Sequence, residues 1–152
     1  MRIPCMEVES APEIQEKIEH LLDILEMRHI IGARIICMRS TGAKANAYAR
    51  IWNLPKIWQK ALDVNPFYVI EVVSEHFDNL GEERKIQVLI HELMHIPKKF
   101  SGGLVPHKHN GGRIDKKAVD KIYAEYRKRM DERGEGEGAG GISAACEADS
   151  NK

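Results

Sequence analysis

His91-Glu92-Leu93-Met94-His95 sets two imidazoles four residues apart, with a carboxylate directly after the first. On a helix, positions i and i+4 lie one above the other, so both rings can face a single ion. This is the H-E-x-x-H pattern, in which the glutamate stands beside a metal and acts on water. Zinc suits it, taking imidazole nitrogen at about 2.0 to 2.1 Å and keeping a position open for water in catalytic sites. Three protein ligands are therefore expected, of which His91 and His95 are the two local ones.

The pattern has this meaning only on a helix, and the flanking residues predict one from Glu82 to His95 or Ile96. Ile86, Leu89, Ile90 and Leu93 recur at i, i+3, i+4 and i+7, one apolar stripe, while Val88, His91 and His95 fall on another side. Gly81 is an acceptable N-cap, and Glu82 and Glu83 complement the positive end of the helix dipole. Pro97 stops the helix, because it lacks an amide donor and restricts Ile96 before it. A lone histidine here would usually be a hydrogen-bonded core residue. Two histidines and a glutamate in this order favour the metal.

A chain of 152 residues with 43% hydrophobic content supports one domain and one core. Net formal charge is zero, yet residues 131–152 hold six acidic and two basic residues, which leaves the body about four units positive. That is too mild for a nucleic-acid footprint. Cys5, Cys37 and Cys146 are scattered, without the C-x-x-C spacing of a zinc knuckle or redox pair, so a reducing compartment is expected. Charged residues follow Met1-Arg2-Ile3-Pro4 in place of an apolar signal core, and no run approaches a membrane span. The expectation is a cytoplasmic protein with no membrane partner.

The first predicted element is a helix opened by Ser10, with Glu13 at capping-box spacing, Pro12 in the first turn, and Ile14, Ile18, Leu21, Leu22 and Leu25 on its apolar face. Strands are expected at Arg34 to Met38, with a turn at Ser40-Thr41-Gly42, at Ala47 to Trp52, and at Phe67 to Val73, which is rich in aromatic and β-branched residues. One or two helical turns fit Ile57 to Leu62. Phe100 to Pro106 reads as a loop, and a last helix from Asp115 to about Met130 is signalled by Val119, Ile122, Tyr123 and Tyr126. Trp52 and Trp58 are expected in the core, since large aromatics dominate small cores. The division expected is a folded domain over 1–130 and a disordered tail over 131–152, glycine-rich, acidic and nearly devoid of apolar residues.

Tyr48-Ala49-Arg50, Leu54-Pro55-Lys56-Ile57-Trp58-Gln59, Tyr68-Val69-Ile70-Glu71, His91 to Pro97 and Phe100-Ser101-Gly102-Gly103-Leu104 occur in that order. In these blocks the chain resembles the phage-type and archaeal metallopeptidase family, over roughly Arg34 to Arg113. It is more distantly similar to SprT-like zincins through Pro106-His107 after the motif helix. The resemblance implies a small zinc-dependent peptidase. The fold expected is α+β, a zincin-like domain with a short mixed β-sheet packed against the H-E-x-x-H helix and flanked by an N-terminal and a C-terminal helix.

For the third ligand, a metzincin arrangement is excluded, because Lys98 occupies its glycine position and Ser101 its histidine position. Glu125 on the last helix could serve as in thermolysin-like enzymes. His107 lies nearer, on a glycine-rich loop able to fold back beneath the metal, and falls where the resembling families place a histidine. His109 is its rival, with a solvated or hydrogen-bonding role as its alternative. Residues two apart on an extended loop face opposite ways, so both are not expected on one ion. His20, His29 and His76 have no ligand spacing.

With His107 chosen, the site expected is one Zn2+ held by His91, His95 and His107, lowering the pKa of water and polarising the scissile carbonyl. Glu92 would be the general base that passes the water proton to the leaving amine. The edge of the strand at Phe67 to Val73 is a place for a peptide to add as an extra strand. Oxyanion donors could be Lys108, His109, Tyr123 or Tyr126. The partner expected is a peptide or protein substrate. Two alternatives stand beside it. One is a nucleic-acid-associated protease or nuclease, motivated by Lys98, Lys99, Lys108, Lys116, Lys117 and Lys121, though only Phe100 is available for stacking among them. The other is a zinc-stabilised interaction module, in which Glu92 would have no catalytic purpose.

Overall fold

The computed structural model describes residues 5–135. Strand β1 (Glu7–Ser10) leads into helix α1 (Pro12–Ile24), and a 3-10 turn at Gly32–Arg34 precedes β2 (Ile35–Thr41). Then come β3 (Ala49–Asn53), α2 (Lys56–Leu62), β4 (Tyr68–Val73) and the single turn α3 (Ser74–Phe77). Helix α4 (Glu82–Met94) carries the motif, a small hairpin pairs β5 (Lys108–His109) with β6 (Gly112–Arg113), and α5 (Lys116–Glu132) closes the described chain. The result is an α+β domain with a mixed sheet in the order β1-β2-β4-β3, in which β4 runs parallel to β2 and antiparallel to β3.

Helices α1, α4 and α5 pack together on one face of this sheet. Alternation in the strands sends Ile35, Cys37, Ala49, Tyr68, Ile70 and Val72 into that layer, where they meet Ile14, Ile18, Leu21 and Ile24 of α1. From α4 come Leu89, Ile90 and Leu93, fully buried on the stripe read from the sequence, with Ile86 partly buried at its edge. Helix α4 begins after Gly81 in extended conformation and ends with His95 at its C-cap, two residues before Pro97. The last helix starts where Asp115 accepts the Ala118 amide proton at 2.9 Å, an N-cap bond.

Several expectations are corrected. Ser10 is not the cap of α1: it pairs with Met38 at the end of β1, and Ala11, whose amide donates to the Cys37 carbonyl, takes the cap position without a side-chain bond. Strand β2 continues through Ser40 and Thr41 before Gly42 turns the chain at φ +79°. Trp52 and Trp58 are not core residues, at 50% and 56% exposure. Trp52 lies on the open face of the sheet, held there by its indole N–H donating to Glu71 at 2.8 Å and by the Arg50 guanidinium over its ring. Burial pushes the Glu71 carboxyl up, but the hydrogen bonds from Arg50 and Trp52 outweigh this and hold it below its ordinary value. Trp58 lies on α2, a helix with no buried residue.

The strand expected to present an edge is also corrected. β4 is internal, with β2 on one side and β3 on the other, so the edge on the α4 side is β3. Of the tail expected over 131–152, Asp131 and Glu132 complete α5, and residues 136–152 lie outside the described residues. No helix among the described residues is long and apolar enough to cross a membrane.

Candidate metal centre

Helix α4 sets His91 and His95 one turn apart, and their Nε2 atoms lie 3.3 Å from each other. His107 arrives from the segment after the helix, its Nε2 3.1 Å from that of His91. The ligand atoms of the three rings all lie within 4.8 Å of one another. Tetrahedral zinc with bonds of about 2.05 Å needs nitrogens about 3.3 Å apart, and both short separations match. Hydrogen bonding cannot link all three rings pairwise. Each ring nitrogen is either a donor or an acceptor, so at least two of any three are alike. One cation at the centre satisfies three lone pairs together.

Two details orient the rings. His95 Nδ1–H donates to the Val105 carbonyl at 2.5 Å, fixing the tautomer that leaves the Nε2 lone pair free to ligate. The Val105 amide in turn donates to the His95 carbonyl at 2.7 Å, so the returning segment is tied to the end of the metal helix. Burial holds the His91 imidazole down to about 4, helped by charge on His95, His107 and Arg84, and burial also lowers His95. Neutral rings are what a metal requires.

The returning segment is positioned by a residue whose role the sequence did not signal. Tyr68, fully buried in β4, accepts the Gly102 amide proton at 2.9 Å and donates its hydroxyl to the Gly103 carbonyl at 2.8 Å. Asn53 donates to the Gly102 carbonyl at 2.7 Å. Gly102 has φ +91°, and a Cβ there would meet the Gln59 side chain at 2.1 Å, so only glycine fits this corner. Tyr68→Phe is expected to cost about 1–3 kcal/mol, the penalty for stranding buried polar groups, and to weaken metal retention, because the corner at Gly102 that leads to His107 loses its anchor. Thermal melts and zinc titration of the variant check both effects.

Glu92 is buried and lines a cleft of about 370 Å³ together with His91, Tyr48 and Ala49 at the start of β3, Arg84, Gln87 and Val88 of α4, and Lys116. Burial pushes its carboxyl up to about 8 without metal, and a nearby cation would oppose that shift. The other proposed ligands stand apart from the three-histidine cluster. Glu125 accepts from Arg129 at 2.7 Å and faces an apolar groove with Leu25, Met27 and Met94. His109 Nδ1 accepts the Gly111 amide proton at 3.1 Å within the β5–β6 turn. His20 contacts Met130 and Tyr126, and neither His29 nor His76 joins a cluster among the described residues.

No curated protein and no solved structure matches the chain significantly. The family model described as "Putative phage metallopeptidase" matches residues 6–132, from β1 through the end of α5. The chain belongs to that metallopeptidase family.

Proposed function

We propose that this protein is a zinc-dependent peptidase in which His91, His95 and His107 hold one ion and Glu92 is the general base. The observation that carries the reading is the convergence of three imidazole nitrogens at zinc-ligand spacing, with a buried carboxylate on the next residue of the same helix. The ion supplies Lewis acidity, which makes water a nucleophile near neutral pH and polarises the scissile carbonyl. Glu92 takes the proton of the attacking water and delivers it to the departing amine, a task its position at the cleft wall permits. Among the described residues β3 pairs only with β4, so its outer edge offers amides and carbonyls to an extended peptide beside the cleft.

The test is hydrolysis of casein and of quenched fluorescent peptides by the zinc-reconstituted chain. Cleavage that a chelator abolishes and zinc restores is the expected result. Absence of cleavage across a diverse peptide library, with one zinc bound per chain, would overturn the peptidase reading and leave a structural metal site.

A further inference from the structure

Arg84, Gln87, Val88 and His91 recur at i, i+3, i+4 and i+7 on α4, so one face of this helix runs from the histidine cluster along the cleft wall. Across the cleft stands Lys116, the first residue of α5. Neither Arg84 nor Lys116 has a carboxylate within 4.0 Å among the described residues, whereas Arg39, Arg50, Arg129 and Arg133 each engage one. Instead the Arg84 guanidinium lies over the Tyr48 ring, 5.5 Å from its centroid. Such a contact holds the group in place and leaves its hydrogen-bond donors for another partner. Two acids, Glu83 and Asp120, line an adjoining recess that shares Arg84, Gln87 and Lys116. At the inner cleft the one acid is Glu92.

A second observation points the same way. In the hairpin that follows His107, Lys108 stands directly opposite Arg113. Like charges placed so are destabilising without an anion nearby, and both residues are exposed. One of these cations adjoins His107 in the chain, and the other lies three residues before Lys116.

We propose that Arg84 and Lys116 form a carboxylate subsite, so that the enzyme favours peptides bearing a carboxylate within a residue or two of the scissile bond. This rests on the peptidase reading above. The carboxylate is either an Asp or Glu side chain or the C-terminus of the peptide. Planar bidentate recognition suits Arg84, and a point charge at the mouth suits Lys116.

The test uses the zinc-loaded full chain and peptides that differ only as Glu against Gln beside one cleavable bond, each with a free or an amidated C-terminus. The expected kcat/KM ratio of Glu to Gln, or of free to amidated end, is about tenfold or more. The arm that shows the ratio identifies the source of the carboxylate. Arg84→Gln and Lys116→Gln should each bring the ratio towards one and together erase it, while Arg84→Lys should keep only part of it, because lysine retains the charge and loses the planar fork. Binding of the same peptides to zinc-loaded Glu92→Gln, followed by fluorescence anisotropy, gives a readout independent of turnover. Acid-selective binding with no hydrolysis by the parent would keep the subsite and remove the peptidase reading. Hydrolysis with equal ratios in the parent and the double variant would remove the subsite and keep the peptidase. If a single-stranded oligothymidylate displaces the acidic peptide, and the two glutamine variants weaken the oligonucleotide more than the peptide, the cations serve nucleic acid and the proposal falls.

Discussion

Glu92→Gln is expected to bind one zinc per chain as the parent does and to hydrolyse peptides about 10²- to 10⁴-fold more slowly, the range typical for loss of a general base. The two expectations separate because Glu92 follows His91 on α4 without joining the three converging ring nitrogens. Glutamine keeps the size and shape of the side chain in a buried setting, yet cannot take a proton from water. Metal analysis and kcat/KM on one preparation measure both. Hydrolysis at the parent rate would remove Glu92 from the mechanism, and loss of metal with activity would show that the carboxylate supports the site instead of reacting there.

His107→Ala should weaken zinc binding by more than about 100-fold, since loss of an outer hydrogen-bond partner alone costs 10- to 100-fold. His109→Ala should change it little. The geometry distinguishes the pair: His107 Nε2 is 3.1 Å from His91 Nε2, whereas His109 Nδ1 is engaged with the Gly111 amide in its own turn. Competition against a chromophoric chelator gives both affinities. Equal affinities in the two variants would move the third ligand elsewhere. Glu125 would be a poor replacement, because Arg129 occupies it and it stands outside the three-histidine cluster.

The motif helix was legible from the sequence because its start, stripe and stop are all local properties. Gly81, the glutamates after it, Leu89, Ile90 and Leu93 on one face, and Pro97 beyond the end each act within a few residues. What the sequence concealed depends on partners far away in the chain. β1 reads as a polar stretch, Glu-Val-Glu-Ser, and all four of its residues are exposed, so no hydrophobic alternation announces an edge strand. Trp52 and Trp58 stay out of the core because bulk alone does not bury an aromatic ring. Trp52 follows its indole N–H to Glu71, a residue 19 positions later. The β-rich run at Tyr68–Val73 reads locally as a strand, but strand order is not a local property, and its central place depends on partners distant in the chain. His107 is a candidate in the sequence through its glycine-rich loop and the family resemblance, while Tyr68 as the anchor of that loop carries no local signal.

The central position of β4 also bears on how this chain folds. β3 precedes β4 in the sequence yet among the described residues has no sheet partner except β4, which must enter between β2 and β3. During synthesis, therefore, β1 and β2 can pair early, but the segment through Asn53 waits until Tyr68–Val73 emerges. Contacts that close only across such separations form slowly, and an unpaired strand is exposed to aggregation while it waits. The helix that carries His91 and His95 begins nine residues after β4 ends, so the last strand of the sheet emerges just before the metal-binding helix that packs against it.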